Sequence, residues 1–69
     1  NTLKELMPMQ LGDLVEVLRS GATVPRGALG ILCKRWAPSP GFEERTIWAV
    51  QLLDGQQFRY LQKDLKKIN

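Results

Sequence analysis

Residues 12–36, GDLVEVLRSGATVPRGALGILCKRW, decide the fold, because they read as strand, glycine-punctuated loop, strand. In residues 11–18, Val15 and Val17 alternate with Glu16 opposite them, while Leu11, Leu14 and Leu18 thicken the apolar content. Gly12 and Asp13 supply the turn that starts this strand. Residues 19–27 then carry turn markers at Ser20-Gly21 and at Pro25-Arg26-Gly27. The second strand spans residues 28–36, with Leu29, Ile31 and Cys33 in step along it. Gly30 weakens the middle of that strand unless it permits a bulge or a close crossing.

The stretches on either side repeat the pattern. Residues 37–45, APSPGFEER, form the longest clear loop. Residues 46–53 are the clearest strand: Thr, Ile, Trp and Val suit a pleated surface, and neither Gly nor Pro interrupts them. Trp48, Val50 and Leu52 share one phase, which assigns them to the core. Asp54-Gly55 predicts a tight type I′ hairpin, a turn that needs positive φ at both central residues. Residues 56–61 return antiparallel, with Phe58 and Tyr60 on one face and Arg59 and Leu61 on the other. Residues 62–65 suit a short 3₁₀ or helical turn, and residues 66–69 close the structure with Ile68 inward. At the start, residues 1–10 form a tail or a short helical turn through Leu3, Leu6 and Met7, with Thr2 as cap and Glu5 in the first turn. Short strands without a full helix predict an all-β fold: one small, strongly bent antiparallel barrel over residues 11–69, whose closure hides the edges a flat sheet would expose.

Composition narrows the function classes. A chain of 69 residues buries only about 60% of its unfolded surface, so the core is thin. Cys33 is the only cysteine, which rules out an internal disulfide; its apolar neighbours predict a small buried hydrophobe and an intracellular setting. With no histidine and a single thiol, neither a metal site nor a cofactor is expected. Lack of histidine also removes the usual general base near neutral pH, and no pair of carboxylates is spaced for acid–base work, so no catalytic residue is assigned and no enzyme is expected. No apolar run is long enough to span a membrane and no secretory leader is legible, which predicts the cytoplasm or an organelle interior. Ten basic residues against seven acidic ones give a net charge of +3, a mild bias toward acidic partners.

The order of these residues resembles the small SH3-like barrels of the KOW type. They begin with Gly-Asp and a strand of alternating valines, followed by a glycine-marked loop and a second strand entered through a glycine. Here those are Gly12-Asp13, Val15 and Val17, Gly21 and Gly27, and Gly30-Ile31-Leu32. The close of the chain, Phe58-Arg59-Tyr60-Leu61 with Asp64-Leu65 and Ile68, is similar to the final strand, 3₁₀ turn and last strand of many such barrels. The resemblance implies a five-stranded SH3-like barrel and a non-catalytic binding role. Barrels of this kind hold RNA in ribosomal and transcription proteins. They also serve as small electron-transfer accessory subunits that help dock acidic ferredoxin.

The candidate binding residues are the cations and the aromatics outside the predicted core. Arg26 sits at a loop tip, and Lys34, Arg35 and Trp36 lead out of the second strand into the proline-bearing loop. Cations beside an indole suit a phosphate backbone with a stacked base, and they equally suit a carboxylate-rich protein surface. Alternatively, Trp36 packs under its own loop and the cations only solvate the surface. Phe42 is either exposed for a partner or folded back over a barrel end. Arg59 is expected on the exposed face of its strand. Lys63, Lys66 and Lys67 form a second basic cluster, expected to face solvent near Asp64. The expected partner is a nucleic acid or ribonucleoprotein, or else an acidic protein surface or a larger complex that holds the chain as a subunit.

Overall fold

The computed structural model describes residues 8–69, excluding the Glu43 side chain. The helical turn expected from Thr2 to Met7 lies outside the described residues. Five strands follow: β1 (Leu14–Val17), β2 (Leu29–Trp36), β3 (Ile47–Leu52), β4 (Gln57–Leu61) and β5 (Leu65–Lys67). All pair antiparallel in a single sheet of order β4-β3-β2-β1-β5, and a 3₁₀ turn at Gln62–Asp64 leads into β5. The all-β class and the turn before the last strand are as the sequence predicts. A second 3₁₀ turn, Glu43–Arg45, lies within the stretch expected to be irregular loop.

The apolar residues of this sheet gather on one face. Val15, Val17, Leu32, Trp48, Val50 and Leu65 form one buried cluster with Val24, and Met9, Ala28, Leu52, Phe58 and Tyr60 pack against it. A lone sheet encloses its own apolar face only by curling around it, which gives the barrel; the expectation that closure hides the edges is corrected, because β4 and β5 end the sheet without pairing to each other. Each buried Val or Leu contributes about 1.5–3 kcal/mol, so this short roster carries most of the stability. No helix among the described residues is long and apolar enough to cross a membrane.

Several expectations are corrected by the register. Leu29 and Ile31 face outward, each 41% exposed, while Gly30 and Leu32 face the core. The reason is crowding: Gly30 lies opposite Val15 on β1 and Leu52 on β3. A Cβ at Gly30 would stand 2.5 Å from Val50 Cγ1 and 2.7 Å from the Gln51 carbonyl oxygen. Gly30 therefore marks a close approach, one of the roles its position allowed. The bulge is elsewhere, at Cys33, where the pairing jumps from Leu32↔Val50 to Lys34↔Ala49. Ile68, expected inward, is 38% exposed.

The β3–β4 hairpin is also not a type I′ turn. No non-glycine residue among the described residues has positive φ, so Asp54 cannot take its part in one; within this turn only Gly55 does, at 91°. Gly55 N–H donates to Leu52 C=O at 2.9 Å, and Leu52 N–H donates to Gln56 C=O at 2.8 Å. These bonds describe a three-residue loop with a glycine bulge, the next commonest hairpin connection. Asp54 is fixed by its own carboxylate, which accepts from Gln56 N–H at 3.0 Å.

Where the chain enters β1, Asp13 acts as a clasp. Its carboxylate accepts from Gln10 N–H at 2.8 Å and pairs with Lys67 Nζ at 3.2 Å, joining the entry turn to β5.

Candidate functional site

The bulge at Cys33 determines which side chains of β2 meet solvent. Along a regular strand Leu32, Lys34 and Trp36 would share one face, because the side-chain period is two. The extra residue shifts that phase. Lys34 now lies opposite Ala49 and Trp36 opposite Ile47, both on the outer face, while Arg35 lies opposite buried Trp48. Cys33 fills the irregularity, its thiol donating to Ala49 C=O at 3.3 Å.

On β4 the same row continues. Arg59 is the partner of Ala49, so Lys34, Ala49 and Arg59 run across three adjacent strands on the outer face. Ala49 is small, and the longer side chains on either side leave a shallow cleft above it. That cleft is roughly 220 Å³, lined by Lys34, Trp36, Ala49, Gln57, Phe58 and Arg59. Trp36 is 41% exposed, and the Arg59 guanidinium lies 4.8 Å from the centroid of its ring, within cation–π range. Neither Lys34 nor Arg59 has an acidic partner among the described residues.

The other predicted cations are dispersed. Arg35 reaches over the Trp48 ring at 5.9 Å, on the opposite face from Lys34. Arg26 spends its Nε–H on Leu18 C=O at 3.2 Å, holding its own loop. Phe42 is 45% exposed on its loop, where Arg45 stacks on it at 5.1 Å. Lys63 is exposed on the 3₁₀ turn before β5, and Lys66 faces outward on β5 opposite Glu16. Lys67 corrects the expectation that it faces solvent: it shares the inward face with Val15, its side chain is 17% exposed, and Asp13 holds it. Lys66 and Lys34 stand two strands and several residues apart, on the order of 15 Å along the sheet by strand geometry. That exceeds the screening length of about 8 Å at physiological salt, so the two basic clusters do not act as one patch.

Sequence reading missed a second cleft. It is roughly 310 Å³ and lies between loop residues Arg19, Ser20, Gly21, Ala22, Thr23 and Val24 and strand residues Phe58, Arg59 and Tyr60. Val24, 4% exposed, anchors the loop to the core; its one sequence signal is a single large apolar residue in a turn-rich loop. Burial pushes the Tyr60 phenol above its ordinary value of 10.0, and the positive charge of Arg19 pulls it partly back. Because the folded state holds this proton more tightly, its stabilisation is complete below pH 10 and is lost as pH rises through the folded value. Tyr60 is the only tyrosine, so ultraviolet titration of phenolate reports it alone. The midpoint should lie above that of the urea-unfolded chain and move further up in Arg19→Ala; coincident native and unfolded curves would contradict the placement of Tyr60.

No family model, no curated protein and no solved structure matches the chain.

Proposed function

We propose that the protein is a non-catalytic binding module, a KOW-type SH3-like barrel that attaches to nucleic acid through its outer sheet face. One observation carries this reading: Lys34, Trp36 and Arg59 converge around a shallow cleft with no acidic group paired to either cation among the described residues. In this reading Lys34 and Arg59 contact phosphates, and a base stacks on the pile formed by the indole and the guanidinium. The interaction is weak and tolerant of sequence, because phosphate contacts position a strand without reading it.

A second reading is an accessory subunit that docks an acidic protein or packs in a larger complex. It draws on Leu29, Ile31 and Ile47, which leave 37–41% of their surface exposed on the same outer face. Apolar exposure beside cations suits a protein interface with an arginine anchor.

Titration with a generic RNA and a generic duplex at low and high salt separates the two. Nucleic-acid binding predicts a Kd on the order of 10–100 µM at low salt, within the range of non-specific binding. With Lys34 and Arg59 each neutralising one phosphate, the log–log salt slope for a single strand is about −1.4. Trp36→Ala should weaken binding about tenfold, the value of one lost stack. No binding to either probe at low salt would sink the first reading and promote docking.

A further inference from the structure

The free edge of β4 carries an inference beyond the outer face. β4 ends the sheet, so one side of its main chain has no strand beside it. The register fixes which groups face that side. Leu52 N–H bonds to Gln56 C=O, and Gln62 N–H bonds to Thr46 C=O, so the bonded pairs between β3 and β4 fall at even-numbered residues. The main-chain N–H and C=O of Arg59 therefore point away from β3, and they have no main-chain partner among the described residues. Along this same edge runs the larger cleft, roughly 310 Å³, with Val24, Phe58 and Tyr60 as apolar walls and Arg19 at its rim.

We propose that this edge takes up an extended peptide as a sixth strand, antiparallel to β4, with an acidic residue opposite Arg59 and apolar residues on either side of it. The pattern follows from the pleat. A residue directly opposite Arg59 shares its outer face, where a carboxylate meets the guanidinium as a cross-strand ion pair. Its two neighbours point to the other face, opposite Phe58 and Tyr60, and enter the cleft. Main-chain bonds to Arg59 supply affinity, and the alternating side chains supply selection. A second copy of this chain fits less well. Pairing β4 with itself about Arg59 would set two guanidinium groups directly opposite each other, which is repulsive.

The test uses a capped seven-residue peptide, acetyl-Ser-Thr-Val-Glu-Val-Thr-Ser-amide, titrated into the isotopically labelled full chain while amide resonances are followed. Shifts should concentrate at the amides of Gln57, Arg59 and Leu61 and in the loop around Val24. N-methylation of the central Glu blocks the N–H that faces Arg59 and should weaken binding by about tenfold or more. N-methylation of the following Val, whose N–H faces away, should leave binding within about twofold. Exchanging Glu for Lys should also weaken it about tenfold. Equal losses from the two N-methyl peptides, or absence of shifts along β4, would overturn the proposal. Concentration-dependent shifts at β4 without peptide would overturn it in favour of a second copy.

Discussion

Trp48→Ala should leave the chain largely unfolded at 37 °C. Trp48 is 1% exposed and is the largest fully buried side chain in a short core. It lies opposite Tyr60 on β4 and Arg35 on β2, so it is in register with a strand on either side of β3. Its indole N–H donates to Gln62 Oε1 at 2.9 Å, which also ties β3 to the 3₁₀ turn before β5. Removing a buried tryptophan costs about 3–5 kcal/mol in lost transfer and residual cavity. A domain of this size holds only roughly 3–10 kcal/mol in all, at about 0.05–0.15 kcal/mol per residue. Trp48→Phe keeps most of the apolar volume and frees only Gln62, which is half-buried and open to water, so it should cost about 1–2 kcal/mol. Thermal melts followed by circular dichroism decide the matter. A melting temperature for Trp48→Ala within about 5 °C of the parent, the shift expected from only about 1 kcal/mol, would show that the core is not built around this residue.

The second large effect is expected where nothing is removed. Gly30→Ala adds one methyl group, and that methyl would stand 2.5 Å from Val50 Cγ1 and 2.7 Å from a carbonyl oxygen of β3. Val50 is wholly buried and cannot swing aside, and the carbonyl belongs to the strand itself. Overpacking of this kind costs about 1–3 kcal/mol, and the backbone clash places Gly30→Ala at the upper end. Gly30→Val should be worse and should not give a cooperative melt. Val50→Ala opens the space that the added methyl needs on one side. The double variant should therefore lose at least about 1 kcal/mol less than the sum of the two single losses. Urea denaturation of the four proteins measures this coupling. Strict additivity would mean that the two residues do not share the contact.

The outer-face site depends on a feature that no residue pattern announced. Lys34, Trp36 and Arg59 were all legible as candidates, since cations and exposed indoles stand out in a chain with few aromatics. Their grouping was not. Arg35 is adjacent to Lys34 in sequence and reads as its companion, yet it lies on the opposite face over Trp48. Lys67 reads as a member of a terminal lysine cluster, yet Asp13, far away in sequence, draws it inward. Ala49 carried no signal at all, because a small residue forms a cleft only through what stands beside it. The loop cleft stayed hidden for a related reason: Val24 looks like one residue of a turn-rich loop until its burial against β1–β3 is known.

The amino-acid order by itself determined the local elements. Alternation in Val15 and Val17 and in Phe58 and Tyr60, the clear strand around Trp48, and the turn residues between them specified short antiparallel strands and a 3₁₀ turn near Asp64. These are effects of near neighbours: side-chain period, backbone conformational preference and the few residues that reverse a chain. Tertiary structure decided which face of β2 is outside. Leu29, Ile31 and Cys33 look like the apolar face of that strand, but packing Gly30 against Val50 and Gln51 turns Leu29 and Ile31 to solvent. The bulge at Cys33 then brings Lys34 and Trp36 to the outer face beside Arg59. A shift of one residue inverts every side chain beyond it, and its position is set by the fit between strands that are distant in sequence.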